Sequence, residues 1–138
     1  MRDFPDIHCL KESHRGNTEI FVLYNKSKSF HLLYQKNTVY PLPEAIQKGC
    51  IDKEQDSQRF TVTKKQYESV LKRLENLSIG IVPPWQAGFD GETYRIWLRN
   101  GCSESAFTWW GECPLQWQAL ETVFNTIVSL ADDFNDKT

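Results

Sequence analysis

Long apolar runs are missing from this 138-residue chain; the longest candidate, Ile20 to Tyr24, is far short of the ~20 residues needed to span a bilayer. Met1 to Gly16, with Asp3, Asp6, Lys11, Glu12 and Arg15, also lacks the apolar core of a signal peptide. The sequence therefore predicts neither membrane insertion nor export, and places the protein in the cytoplasm. An excess of basic charge is absent as well. Lys and Arg number 16 against 18 Asp and Glu, for a net charge of −2, so the chain has no footprint for displacing counterions from a phosphate backbone, and direct nucleic-acid binding is disfavoured.

Cysteine is sparse. Cys9, Cys50, Cys102 and Cys113 form no Cys-x-x-Cys pair, and in a reducing compartment they read as free thiols. A zinc site from His8, Cys9 and His14 would lack a second ligand pair at ordinary spacing, so no metal is expected. Gly-rich phosphate loops, the Gly-x-Ser-x-Gly elbow and the His-Glu-x-x-His helix are all missing, so no cofactor is expected either. His31, inside an apolar strand, reads as a hydrogen-bonded core or edge histidine rather than a general base. Asp90, Glu92, Glu104 and Glu112 have structural roles to fill. Asp90-Gly91 suits a turn, Glu104 can pair with Arg95 or Arg99, and Glu112 precedes a helix N-terminus that favours negative charge. The chain reads as a non-enzyme.

What is present is a foldable composition. At 40% hydrophobic and 25% charged residues the chain is an ordinary globular sequence, and a single domain of this length buries roughly 68% of its unfolded surface. Flexibility is expected only near 1–16 and 135–138.

Thr18–Tyr24 and Phe30–Tyr34, separated by Asn25–Ser29, signal a β-hairpin. Asn37–Leu42 reads as a third strand, which Pro41 and Pro43 would confine to an edge or terminate, and Glu44–Lys48 as one helical turn. The charged stretch Cys50–Arg59 reads as an exposed loop. Thr63 with Gln66 forms a capping box ahead of Tyr67, Val70, Leu71, Leu74 and Leu77, which predicts a helix over about 64–77. Ser78–Pro84 allows a short strand with an extended exit at the Pro-Pro pair.

In Thr93–Arg99 the alternation is strict, with Tyr94, Ile96 and Leu98 on one face and Arg95, Trp97 and Arg99 on the other. Asn100-Gly101 predicts a type I′ turn that sets Ile96 opposite Ser105, Tyr94 opposite Phe107 and Trp97 opposite Glu104. Trp117, Leu120, Val123, Phe124, Ile127, Val128, Leu130, Ala131 and Phe134 form the apolar stripe of a second helix near 115–131. The expected fold is α+β: one domain, a mostly antiparallel sheet, and both helices on one face.

The same alternation turns Trp97 and Trp110 away from the helices, beside Arg95, Arg99 and Glu104. Tryptophan and arginine dominate binding hot spots, whereas exposed carboxylates chiefly raise association rates. The candidate partner-binding residues are therefore Arg95, Trp97, Arg99, Glu104 and Trp110 from the outer sheet face, with Asp52, Glu54 and Asp56 from the charged loop.

Residues 88–131, with Asp90-Gly91-x-x-Tyr94, an alternating strand, a turn, Trp109-Trp110-Gly111, Pro114-Leu115-Gln116-Trp117 and a Leu-rich helix, resemble small bacterial immunity proteins of polymorphic and contact-dependent growth-inhibition toxin systems. The resemblance implies an inhibitor that binds a cognate toxin domain, such as a basic nuclease, and implies no particular site residue, because immunity families use different surfaces for different toxins. Two other readings stand beside it: a small enzyme or nucleotide-handling domain with an unfamiliar site, and an adaptor in a larger assembly.

Overall fold

The computed structural model describes residues 4–39, 53–87 and 91–136. The chain runs β1 (Asp6–Ser13), β2 (Thr18–Lys26), β3 (Ser29–Val39), β4 (Lys53–Val62), α1 (Lys64–Glu75), β5 (Glu92–Asn100) and β6 (Ser103–Trp110). A single 3₁₀ turn, Leu115–Trp117, then leads into α2 (Gln118–Asp136). The six strands form one open antiparallel sheet in the order β4-β3-β2-β1-β5-β6. Both helices pack on one face, giving a single α+β domain. No helix among the described residues is long and apolar enough to cross a membrane.

The core is the set of strand residues that face the helices. Ile7 and Cys9 of β1, Phe21 and Leu23 of β2, Phe30 and Leu32 of β3, Ile96 of β5 and Trp109 of β6 meet Tyr67, Val70 and Leu71 of α1 and Leu120, Val123, Phe124, Ile127 and Ala131 of α2. At roughly 25 cal/mol per Å² of apolar surface removed from water, this layer is the main stabilising term. The start of α1 matches its sequence signal, whereas the α-helical part of the second helix begins at Gln118, after the 3₁₀ turn, rather than near 115. Thr63 Oγ1 accepts from the Gln66 amide at 3.0 Å while the Gln66 side chain accepts from the Thr63 amide at 2.8 Å, closing the capping box. Leu74 and Leu77 only flank the core, because α1 ends at Glu75.

Several expectations are corrected. The amino-terminal segment, read as a polar and flexible end, supplies the central strand β1, paired with β2 on one side and β5 on the other. Its alternation is masked in the sequence because His8 and Leu10, on the far face, are themselves partly buried. The charged stretch read as a loop supplies β4. A strand so polar holds because it lies at the sheet edge, pairs along its length with β3, and, over its described side chains from Gln55 on, buries only Val62 and part of Phe60. Asn37–Val39 is the end of β3 rather than a separate strand, and the turn foreseen at Glu44–Lys48 lies outside the described residues. Ser78–Pro84 forms no strand.

The β5–β6 register is offset from the expected one by two residues. Ile96 faces Phe107, Tyr94 faces Trp109 and Trp97 faces Ala106, because the two-residue turn is Gly101-Cys102. Gly101 has φ +62° and Cys102 does not share the positive φ, the pattern of a type II′ turn. An even offset leaves each side chain on its expected face, so the prediction of which residues point outward survives.

Candidate functional site

No described helix covers the second face of the sheet, which is built by the residues alternating with the core. From β5 come Thr93, Arg95, Trp97 and Arg99; from β1, His8 and Leu10; from β2, Ile20, Val22 and Tyr24; and from β3, His31 and Leu33. One ladder row reads Ala106, Trp97, His8, Val22 and Leu33 across five strands. All but the exposed Ala106 are partly buried by their neighbours on this face.

Trp97 is the centre of this surface. The His8 ring lies against it with centroids 4.8 Å apart and planes 10° from parallel. The Arg95 guanidinium sits 4.8 Å from the Trp97 ring, a cation–π contact. Glu104 holds both arginines, at 3.6 Å from Arg95 and 3.6 Å from Arg99. Such part-exposed ion pairs contribute at most about 1 kcal/mol each, so their effect is chiefly to orient Arg95 along the indole. Arg95 Nε is shielded and has no acceptor among the described residues, and His31 Nδ1 is likewise unpaired among them beside the Tyr24 ring. His31 is thus neither a core nor an edge histidine: it stands on the open face of an interior strand. Burial lowers the His8 pKa; Asp6 opposes the shift, Arg99 reinforces it and Glu104 opposes it, so the stacked ring is favoured as neutral imidazole.

The sequence candidates fall into separate places. Arg95, Trp97, Arg99 and Glu104 come together as expected. Trp110 shares their face but sits four residues further along the ladder, about 13 Å away at the strand rise of ~3.3 Å per residue. Its indole is half-buried and packs over Gly91. Asp56 belongs to β4, on the helix-bearing face opposite Lys36, and so cannot share a surface with Trp97. The backbone of Glu54 pairs with Thr38 near one end of β4, and Asp52 lies outside the described residues. His8, Leu10, Val22, Tyr24, His31 and Leu33 were missed as surface residues. The signal for them was the alternation of β1, β2 and β3, which stays ambiguous until the strand order shows that both faces of these interior strands carry apolar groups.

The remaining chemical groups are dispersed. Among the described residues Cys9 and Cys113 are buried free thiols and Cys102 is an exposed one, while Cys50 lies outside them. Cys9 faces the core while its neighbour His8 faces outward, so the two cannot close on one ion. Glu92 accepts the Tyr94 hydroxyl at 2.7 Å and an ion pair from Lys11 at 3.4 Å; the Tyr94 bond is the main cause of its lowered pKa.

A second feature borders the sheet. Ile81, Val82 and Trp85 of the α1–β5 connection and Leu115 are 82, 75, 88 and 82% exposed. Their segment is pinned rather than loose: Trp117 Nε1 donates to Gly80 O at 2.8 Å and Gln116 Nε2 to Val82 O at 3.2 Å. The Gln86 amide accepts from Trp110 N and donates to Glu112 O.

This geometry defines an α+β domain with one helix-covered sheet face and a second face, covered by no described helix, centred on an aromatic–arginine cluster. Comparison with family models, curated proteins and solved structures returns no match for this chain.

Proposed function

We propose that the protein is a non-enzymatic immunity protein, acting in the cytoplasm, that binds a cognate toxin domain through the open sheet face and blocks its activity. The observation that carries this reading is the Trp97 cluster: an indole stacked with His8, overlaid by Arg95 and bordered by Arg99 and Glu104 on a face left uncovered by both helices. Trp and Arg on a firm sheet lose little conformational entropy on binding, and the part-exposed end of the Arg95 guanidinium can donate to a partner carboxylate or carbonyl. The sequence resemblance over residues 88–131 points to the same class. Steering by the acidic stretch around Asp56 would act at long range only, since that residue is on the opposite face.

The test is co-expression with the carboxyl-terminal domain of the protein encoded immediately upstream, read as cell survival and as Kd by calorimetry. The wild-type chain is expected to protect. Trp97→Ala with Arg95→Ala should lose protection and raise Kd by at least tenfold while the fold persists. Full protection by that folded double variant would overturn the open-face assignment, and failure of the wild-type chain to bind or protect would overturn the immunity reading.

A further inference from the structure

The two edges of the sheet are built differently. β4 exposes Asp56 and Arg59, charges that commonly discourage edge-to-edge pairing, whereas β6 (SESAFTWW) has one charge, Glu104, and no lysine or proline. The direction of the β6 backbone groups follows from its bonds. Gly111 N donates to Glu92 O at 2.7 Å, so the odd-numbered residues pair with β5; Trp110 N turns outward and is met by the Gln86 side chain. The N–H and C=O groups of Glu104, Ala106 and Thr108 therefore point outward as well. Gln86 closes the edge at Trp110 and Glu112, and the Gly101-Cys102 turn closes it at the other end.

We propose that this window is a self-pairing edge, at which two copies of the chain join their β6 strands antiparallel about a two-fold axis at Ala106. The inference goes beyond the proposed function and does not depend on it. This register uses each outward group once: Ala106 faces Ala106 of the second copy and Glu104 faces its Thr108, with two hydrogen bonds at each pair. It is also complementary in charge and size. The carboxylate meets a hydroxyl rather than a like charge, and the small residues Ser103 and Ser105 of one copy lie opposite Trp109 and Phe107 of the other. Centring the axis at Glu104 would instead oppose two carboxylates. Paired in this way, the sheet continues from one copy to the next. The two Trp97 clusters then lie on one face, three strand spacings or roughly 14 Å apart.

Sedimentation equilibrium over a concentration series tests the proposal. The wild-type chain should approach twice the 16.1 kDa of one copy. Ala106→Pro removes an outward N–H that β5 does not use, so it should keep the circular dichroism of the wild type and remain monomeric. Ala106→Ser keeps the N–H and should dimerise. Hydrogen exchange on the wild-type chain supplies a readout that does not depend on the proline variant folding: the Ala106 and Thr108 amides should gain at least tenfold protection at concentrations where the dimer forms. A wild-type chain monomeric throughout, a folded Ala106→Pro variant that still dimerises, or these amides exchanging freely in the dimer would each overturn it. So would a dimer abolished by Trp85→Ser, which would place the contact at the exposed Ile81–Trp85 segment.

Discussion

His8 of β1 and Trp97 of β5 are direct partners in the ladder and stack nearly parallel with ring centroids 4.8 Å apart. Burial of the imidazole is the largest cause of its lowered pKa, with Asp6 and Glu104 opposing and Arg99 assisting. Below the ordinary histidine value the unfolded chain takes up a proton that the folded chain resists, so this stability term is lost as pH falls through the lowered folded value. Trp97→Ala should move the His8 midpoint back up and flatten that acid loss, as read by an NMR titration of the ring. An unmoved midpoint would mean that other neighbours desolvate His8.

Gly91 has φ +139°, and a Cβ placed on it would lie 2.9 Å from Trp110 Cζ2. Gly91→Ala should therefore cost about 1–3 kcal/mol in urea unfolding, the usual penalty of overpacking. Trp110→Ala removes the opposing ring, so in the double variant the alanine penalty should shrink. Strict additivity would assign the cost to backbone strain alone.

Ser27 and Lys28 form the β2–β3 turn with φ of 53° and 68°, left-handed values that side chains other than Asn and Gly adopt at a cost. Replacing the pair by Asn-Gly should stabilise the protein by about 1 kcal/mol, seen as a higher Tm. An unchanged Tm would show that strain in this hairpin is relieved by its surroundings.

Cys102 is exposed at the β5–β6 turn, whereas Cys9 and Cys113 are buried. Burial pushes Cys9 far above the ordinary thiol range and Cys113 up to about 11, with the Glu121 charge adding to the latter. Alkylation at neutral pH, mapped by peptide, should label Cys102 ahead of Cys9 and Cys113, which should react only on unfolding. The Cys113 stability term is present below the ordinary thiol pKa and is lost as pH rises through about 11.

Leu71 and Leu74 lie one turn apart on α1, the first 4% exposed and the second only packed against the edge of the core. Leu71→Ala should cost about 2–5 kcal/mol and Leu74→Ala clearly less. Equal losses in chemical denaturation would show that the end of α1 is buried as deeply as its middle.

Much of the architecture was legible where the signal is local. The capping box at Thr63, the stripe from Trp117 to Phe134 and the alternation of Thr93–Arg99 each sit within one element, and each fixed a helix start or the face of a strand before any partner was known. The offset turn at Gly101-Cys102 did not disturb that assignment, since a two-residue slip preserves side-chain parity. The Arg95, Trp97, Arg99 and Glu104 group was legible for the same reason.

Strand order was not legible. β1 looks polar because a central strand in an open sheet has a second face, and β4 looks like a loop because an edge strand needs little apolar surface when its backbone pairs throughout. Local periodicity thus determined the helices, the hairpins and the outward direction of Trp97. Tertiary structure decided that β1 inserts between β2 and β5, which places His8 against Trp97 and separates Asp56 from both. Pairing between segments some ninety residues apart depends on backbone hydrogen bonds and shared burial that no local window contains.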